Sequence, residues 1–388
     1  MRTLQTLGWP AADLAEEHVL LQRTVREFAA HEVAPRCASW DEQSRFPTEL
    51  MEPMRDLGLW GMAIPPQYGG AGADALSYAL VTMEFARVDA SVAFLFFLHN
   101  GISTRSIVRF GSEDQKRRFL PALATGARLG GWGMTEPEAG SDAPAMRTTA
   151  RRDGDGYVLN GRKVFCSLGG VADVYVVLAK TDPARRAEGI SLFVVERGTP
   201  GFTFGRDENK LGLRAVPLRE LVFEDCRVPK ENVLLEAPNA FRRTMDLFNT
   251  ERLGNSSCSL GIAMGAWDMA ANYAQQRRAF GKSLTELQGL RWMLADMALQ
   301  IESARLLVSQ TARRIDRGLP VAAEASMMKI CANEMVQRVT NDALQLFGAY
   351  GYTRDAGIER KLRDARGLAI AGGTPQVLRN TVAHLLLD

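Results

Sequence analysis

The chain has 388 residues, 46% of them hydrophobic, which is enough to bury a large core in roughly two or three domains. Its 47 basic and 45 acidic residues leave a formal net charge of only +2, and without a basic run this balance argues against nucleic acid as a partner. The five cysteines are widely spaced without a CxxC pair, so neither a disulfide framework nor a metal site is expected, and a reducing cytoplasmic location fits best.

Residues 1–130 predict an N-terminal helical domain. A second helix is predicted from Thr48 to Leu57, where Gly58 ends it. The apolar run from Ala90 to Phe97 predicts a buried wall. The apolar stretch from Ala93 to Leu98 is far too short to cross a bilayer, so no membrane attachment is expected. The apolar residues of the first helix recur at helical spacing: Leu14, Leu21, Val25 and Phe28.

Residues 131–238 predict a compact middle β domain, a sandwich or small barrel, because short apolar runs alternate with Gly, Asp, Asn and Pro. The stretches Asp153 to Gly156 and Asn160 to Gly161 predict hairpin turns. The predicted strands are 156–159, 163–166, 174–178, 190–195 and 220–223.

Residues 239–388 predict a C-terminal helical bundle with turns at Gly318 to Pro320 and at Gly348 to Gly351. An intermolecular coiled coil would use the same apolar seam, but several long helices in succession favour an intramolecular four-helix bundle. The fold class is therefore α+β, in the order helical, β, helical. The seam consists of Leu287, Leu290, Leu294, Met297, Ile301, Ala304 and Val308.

The segment from Trp132 to Asp142 reads Trp-Gly-Met-Thr-Glu-Pro-Glu-Ala-Gly-Ser-Asp. An ordinary strand-to-loop turn is one interpretation, because a Gly-rich turn alone is weakly specific. The string also resembles the first signature of the acyl-CoA dehydrogenase family. The order helical, β, helical resembles the architecture of that family too, and the resemblance covers essentially the whole chain.

The resemblance implies an FAD-dependent oxidoreductase that converts an acyl thioester, carried by CoA or by an acyl carrier protein, to an enoyl thioester. The reaction removes a proton from Cα and a hydride from Cβ. It needs a desolvated carboxylate base, hydrogen bonds to the thioester oxygen and a hydride acceptor, which a flavin supplies. Electrons are expected to pass to an electron-transfer flavoprotein or a similar acceptor.

Two segments line the flavin by resemblance. The segment Lys163–Gly170 resembles the family strand in which an aromatic ring covers the isoalloxazine and a hydroxyl meets it; here these are Phe165 and Ser167, with Cys166 between them. A plain strand with alternating apolar faces is the alternative. Ser141 is also expected to meet the acyl thioester. The first motif contributes Trp132, Met134, Thr135 and Ser141.

A second group of residues resembles the family's contacts with the far end of FAD. In the family an Arg and a Gln meet the pyrophosphate from the neighbouring subunit, and the guanidinium fork matches phosphate oxygens. Dimerisation would complete the cofactor site, and a homotetramer is expected. Ala349 departs from the family pattern, since a second Gly is usual there. The group comprises Arg277, Phe280, Gln288, Gln345 and Gly348.

The C-terminal loop departs from the family at its most informative position. Most members carry a catalytic Glu in a Tyr-Glu-Gly-Thr motif, where this chain has Gly372. Gly373, Thr374 and Gln376 still resemble the flavin-contacting remainder, and the backbone N–H of Gly372 is a candidate donor to the thioester oxygen. The base must come from elsewhere in the chain.

Glu251 is the predicted base. Isovaleryl-CoA and long-chain acyl-CoA dehydrogenases place their glutamate immediately before an Arg on a different helix, and this chain has Glu251 followed by Arg252 there. An exposed glutamate at a helix start is the alternative interpretation. Asn249 and Arg252 are expected beside the pantetheine or phosphate part of the carrier, and a surface ion pair is the alternative for Arg252.

The nature of the acyl group is weakly specified. Ala93 falls about where glutaryl-CoA dehydrogenases place a carboxylate-binding Arg, which favours a neutral, short or branched acyl group. Core packing explains the neighbouring phenylalanines equally well. Other activities known in relatives also stay open: enoyl thioester reduction, hydroxylation, and oxidation of an acyl or aminoacyl group on a carrier protein. A DNA-binding flavoprotein is disfavoured by the near-neutral charge.

Overall fold

A computed structural model describes residues 7–387. The predicted segment from Thr48 to Leu57 is confirmed as a 3-10 turn followed by α3, and Gly58 after it has a positive φ of 68°. Asp74 and Asp89 accept hydrogen bonds from Ser77 N and Val92 N and so begin α4 and α5. The N-terminal helices are α1 (Glu16–Phe28), α2 (Cys37–Gln43), α3 (Met51–Asp56), α4 (Ala75–Val88), α5 (Ala90–Leu98), α6 (Thr104–Phe110) and α7 (Glu113–Ala124).

The middle of the chain forms one hydrogen-bonded sheet of eight strands in the order β6-β7-β3-β2-β4-β5-β8, with β1 parallel to β4. All five predicted strand regions lie within it, in β3, β4, β5 and β7, whereas β2, β6 and β8 have no counterpart among the predicted strands. The strands are β1 (Gly130–Gly133), β2 (Thr149–Asp153), β3 (Gly156–Ser167), β4 (Val174–Lys180), β5 (Ile190–Glu196), β6 (Phe202–Asp207), β7 (Leu218–Val228) and β8 (Val233–Leu235).

One of the two predicted hairpins is wrong. Asp153 pairs with Gly156, so the first turn joins β2 and β3 as predicted. The Asn160-Gly161 pair instead lies inside the continuous strand β3, where the register against β7 shifts. Gly161 has a φ of 139°, and a Cβ there would lie 2.7 Å from the Thr148 Cα. The dipeptide therefore marks a bulge that admits a close backbone neighbour.

The C-terminal part is helical, as predicted. The connection after α9 contains Gly318, and the one after α10 runs from Gly348 to Tyr352. The seam of α9 is fully buried from Met297 to Val308 at the predicted positions. The elements are α8 (Ala240–Gln276), β9 (Arg278–Ala279), β10 (Lys282–Ser283), α9 (Gln288–Asp316), α10 (Ala322–Phe347), α11 (Ile358–Leu368) and α12 (Pro375–Leu387).

Helix α8 is the central element, since it packs against α4, α5, α9, α10 and α11. Two glycines allow the close approach of α4: a Cβ at Gly261 would lie 2.2 Å from the Met83 carbonyl oxygen, and one at Gly265 would lie 2.2 Å from that of Arg87. This contact places the middle of α8 against the buried face of α4. Within residues 7–387, no helix has both the length and the apolar composition needed to cross a bilayer.

Candidate active site

Glu251 is buried in the middle of the molecule. It lies on α8, whose first residue is Ala240, and only 8% of its surface is exposed. The alternative of an exposed glutamate at a helix start is therefore wrong. Burial raises the pKa of the Glu251 carboxyl to about 7, although the nearby Arg105 guanidinium lowers it. A carboxylate with such a pKa suits proton abstraction near neutral pH.

The surroundings of this carboxylate are close-fitting. Its Oε1 is buried without a hydrogen-bond partner and lies 3.5 Å from Arg105 Nη1. On its other side is Gly101, where an added Cβ would lie 2.5 Å from Glu251 Oε2 and 3.2 Å from the Tyr78 hydroxyl. An oxygen of Glu251 thus remains without a donor, as a proton acceptor requires.

Three elements converge one helical turn before Glu251. The Phe248 ring lies 6.1 Å from the Trp132 ring, centroid to centroid, and so joins α8 to the end of β1. A Cβ built on Gly372 would lie 3.8 Å from the Phe248 ring. Trp132 and Gly372 therefore both lie beside Phe248, one helical turn from Glu251, although the three predicted residues are far apart in sequence.

A buried lysine on α10 holds the loop that contains Gly372. Lys329 Nζ donates to the carbonyl oxygens of Gly373 and Leu368 at 2.8 and 3.3 Å, and to Asn333 Oδ1 at 2.8 Å. Asn255 Nδ2 donates to the Leu368 carbonyl oxygen as well. Burial and the positive charge of Arg252 lower the pKa of Lys329 to about 7. Helices α8 and α10 thus fix the position of this loop.

The two predicted flavin segments are tied to each other. Buried Lys163 donates to Glu136 Oε1 at 2.6 Å, and Glu136 also accepts from the backbone N–H of Thr148. Val164 N donates to the Thr135 carbonyl oxygen at 2.8 Å. Sequence patterns did not predict the pair of Glu136 and Lys163, because both are ordinary surface residue types.

The residues of these segments differ in exposure. Phe165 has a φ of 55° and is 64% exposed, whereas Cys166 is buried and its pKa is raised to about 12. The Cys166 thiol therefore stays protonated. Trp132 Nε1 is buried without a hydrogen-bond partner. An exposed aromatic face and an unpaired buried N–H donor fit a large planar heterocycle, so these residues fit the flavin of FAD. Met134, Thr135 and Ser167 are half-buried, and Ser141 is exposed.

Arg252 does not form the surface ion pair that was its alternative role. Its Nη1 donates to Asn249 Oδ1 and, at 3.1 Å, to Ser326 Oγ on α10. Its Nε is buried without a partner, and burial lowers the pKa of the guanidinium to about 10. A contact of Arg252 or Asn249 with the carrier stays a prediction.

A second group of predicted cofactor residues lies at the far end of α8. The rise of the helix separates Glu251 from Arg277 by about 40 Å. The Arg277 guanidinium lies 5.7 Å from the Tyr350 ring centroid, which joins this end to the loop after α10. The members of the group are all exposed: Arg277, Phe280, Gln288, Gln345 and Gly348.

Known proteins match nearly the whole chain in sequence and fold. Three family models match: the acyl-CoA dehydrogenase N-terminal domain at residues 15–127, the middle domain at 131–226 and the C-terminal domain at 241–387. A short-chain specific acyl-CoA dehydrogenase of Clostridium acetobutylicum is 42% identical, over 96% of this chain and 98% of the relative.

Two solved structures are similar throughout. Butyryl-CoA dehydrogenase from Megasphaera elsdenii superimposes with a TM-score of 0.95 and 37% identity, covering 98% of this chain and 100% of that one. A chain from structural work on the electron transferring flavoprotein of Acidaminococcus fermentans has a TM-score of 0.95 and 39% identity, with the same coverage.

The fold, the site and the comparisons together show the class of protein: it is an FAD-dependent oxidoreductase that acts on CH–CH groups. Within this class, the chain belongs to the acyl-CoA dehydrogenase family.

Proposed function

We propose that this acyl-CoA dehydrogenase uses Glu251 as the base that removes the α proton of the acyl thioester. The single observation that carries the proposal is the burial of this carboxylate with an unpaired Oε1, one helical turn from Phe248, which Trp132 and Gly372 approach. Desolvation makes a carboxylate a stronger base. FAD, when bound, supplies the hydride acceptor for Cβ.

Gly372 is proposed to stabilise the thioester oxygen. Its backbone N–H makes no hydrogen bond within the described part of the chain, and its φ is 75°. Asn255 Nδ2 donates at 3.4 Å to the Ala371 carbonyl oxygen, which belongs to the same peptide group as this N–H, and Lys329 holds the Gly373 carbonyl that follows. Fixed donors aimed at developing negative charge are an efficient form of catalysis.

The substrate is proposed to be a short, neutral acyl-CoA. The short-chain specificity and the butyryl-CoA named for two similar proteins support this assignment. Phe94 and Phe97 are buried with ring centroids 4.8 Å apart, and a Cβ at Gly254 would already lie 3.1 Å from Phe97. This dense packing beside α8 favours a short acyl chain over a long one.

Three further assignments go with this function. An electron-transfer flavoprotein is the proposed electron acceptor, supported by the similarity to the chain from the Acidaminococcus fermentans work on such a flavoprotein. The proposed assembly is a homotetramer, supported by the exposed predicted FAD residues at the far end of α8. A cytoplasmic location is proposed because all five cysteines are free thiols.

The test is an anaerobic titration of the holoenzyme with CoA and carrier-protein thioesters of different chain lengths, followed by bleaching of the flavin. Butyryl-CoA is expected to bleach the wild type. Glu251→Gln is expected to slow bleaching by about 10²- to 10⁴-fold, which is the typical contribution of a general base. Glu231→Gln changes an exposed glutamate and is the matched control. Equal bleaching by Glu251→Gln and the wild type would overturn the assignment of the base.

A further inference from the structure

Arg105 contacts the Glu251 carboxylate and also lines a cavity of about 450 Å³. Arg105 lies on α6, and its side chain is 17% exposed. Its Nη1 is 3.5 Å from Glu251 Oε1, yet Arg105 makes no hydrogen bond in the described part of the chain. The contact with Glu251 is thus predominantly a charge–charge contact.

The guanidinium of Arg105 is supported by an aromatic ring. Its Cζ lies 4.7 Å from the centroid of the Tyr78 ring on α4. The Tyr78 hydroxyl donates to the Phe97 carbonyl oxygen at 3.0 Å, which fixes the ring. Burial raises the pKa of Tyr78 well above 10, so the hydroxyl remains protonated and adds no charge. A cation on an aromatic face is held in a defined place even without hydrogen bonds.

The other charged groups nearby have partners of their own. Asp74 and Asp316 line the cavity, but Asp74 accepts from Ser77 N and Asp316 accepts from Ala75 N. His18 Nε2 lies 3.0 Å from Asp74. Arg252 points to Ser326 on α10 and does not face Glu251.

The remaining neighbours of Glu251 add no second charge next to its carboxylate. The Thr250 hydroxyl donates to the Leu247 carbonyl oxygen, and burial raises the pKa of Cys258, so this thiol is neutral. Arg109 lines the same cavity without an ion pair and without contact to Glu251. Within residues 7–387, Arg105 is therefore the cation that faces the Glu251 carboxylate.

We propose that Arg105 is a positioning residue for the base: resting on the Tyr78 ring, it keeps the buried Glu251 carboxylate ionised and ready to accept the substrate proton. The inference rests on the proposed role of Glu251. A buried carboxyl without a nearby cation would hold its proton at neutral pH. Arg105 thus makes the desolvated position of Glu251 usable for catalysis.

The test compares Arg105→Met, Arg105→Lys and Arg109→Met in the holoenzyme. The rate of flavin bleaching by butyryl-CoA is measured as a function of pH. Loss of an opposite charge at this distance is expected to shift the acid limb of the profile of Arg105→Met upward by about 1–3 pH units. At neutral pH its rate is expected to fall roughly fivefold or more, whereas at high pH it approaches the wild-type rate. Arg105→Lys is expected to restore most of the shift, and Arg109→Met to leave the profile unchanged.

A second measurement follows the carboxyl directly. Infrared titration of the wild type minus Glu251→Gln isolates the Glu251 carboxyl band, and the same difference is recorded in the Arg105→Met background. An unchanged acid limb and an unchanged Glu251 titration in Arg105→Met would overturn the inference, as would a loss of rate equal at all pH values. If Glu251→Gln bleaches like the wild type, the proposed base fails instead, whatever Arg105 does to the titration.

Discussion

The Lys329 ammonium on α10 donates to the carbonyl oxygen of Gly373 at 2.8 Å and thereby holds the loop that carries the candidate thioester-binding N–H. Lys329 is fully buried. Two further acceptors, the Leu368 carbonyl oxygen and Asn333 Oδ1, match the three donors of an ammonium group. A loop without regular structure is in this way fixed by a helix.

Lys329→Met is expected to lower the free energy of unfolding by about 2–4 kcal/mol, because the Gly373 carbonyl oxygen and the buried Asn333 Oδ1 lose their lysine donor, whereas the Leu368 carbonyl oxygen keeps Asn255. It should also weaken FAD binding, since the Gly373 loop is released. Urea unfolding and flavin retention on dialysis measure the two effects. Lys230→Met, which changes an exposed lysine, should alter neither. Tight flavin binding by Lys329→Met would contradict the anchoring role.

Lys329 is also expected to make the stability of the protein depend on pH. Its pKa is lowered from 10.5 to about 7 in the folded chain, so between these values the unfolded chain binds the extra proton. The stability of the wild type therefore rises with pH across this window. Lys329→Met lacks this contribution, and its deficit in urea unfolding should be larger near pH ~9 than near pH ~6. A deficit that is constant with pH would show that Lys329 does not titrate there.

The Glu251 carboxyl is expected to give stability the opposite dependence on pH, and at lower pH than Lys329. Its pKa is raised from 4.5 to about 7 by burial, so the folded chain binds the extra proton between these values. Stability should fall as the pH rises through this window and stay reduced above it. Glu251→Gln removes this dependence and should gain about 1–3 kcal/mol relative to the wild type between pH ~4 and pH ~8. Parallel stability curves would indicate that Glu251 is not perturbed.

Local sequence patterns predicted most of the fold. The seam of α9 and the buried strands carry clear periods, so their types could be predicted. The hairpin predicted at Asn160-Gly161 was wrong because a dipeptide that suits a turn also suits a bulge. The close approach of the Thr148 backbone, which requires the bulge, is a tertiary contact that the local sequence does not show. Strands β2, β6 and β8 were missed because they are short, and β2 and β6 are partly exposed.

The site could be predicted only where a family motif existed. Glu251 and Gly372 were identified by resemblance, and the structure brings them near Phe248. Arg105 lies in no motif, and its pairing with Glu251 depends on how α6 packs against α8. The role of Lys329 could not be predicted either, because a single lysine in an amphipathic helix is ordinarily a solvated residue.

Gly101→Ala should displace the base without affecting the cofactor. The new Cβ would lie 2.5 Å from Glu251 Oε2, so the carboxylate must move. A displacement of about 1 Å typically lowers the rate by about 10²-fold. The rate of bleaching by butyryl-CoA measures the effect, and an unchanged flavin absorption spectrum shows that FAD is retained. Gly8→Ala, whose Cβ would meet only Arg87 Nη1 at an ordinary distance of 3.8 Å, is the matched control and should behave as the wild type.

Moving the catalytic carboxylate from position 251 to position 372 tests whether the two positions serve the same site. In a Glu251→Gln background, Gly372→Glu places a carboxylate near Phe248, with ordinary contacts of 3.6 Å to Lys329 Cε and 3.8 Å to the Phe248 ring. The φ of 75° at this position makes a side chain there unfavourable by about 1–2 kcal/mol. The double variant is expected to recover part of the bleaching rate lost in Glu251→Gln. If the double variant is stable and binds flavin but does not recover any bleaching rate, the α proton of the substrate does not lie near this loop.

An exposed apolar stripe on α9 tests the proposed assembly. Trp292, Leu299 and Leu306 lie seven residues apart on one side of the helix and are 61%, 67% and 54% exposed. Such a row on an otherwise amphipathic helix favours contact with another subunit. Trp292→Glu combined with Leu299→Glu should convert the assembly to smaller species in sedimentation velocity, whereas Leu20→Glu, at an equally exposed position on α1, should not. If the predicted FAD contacts of Arg277 and Gln288 come from the neighbouring subunit, the dissociated variant should also lose flavin. A wild type that sediments as a monomer and retains FAD would contradict both proposals.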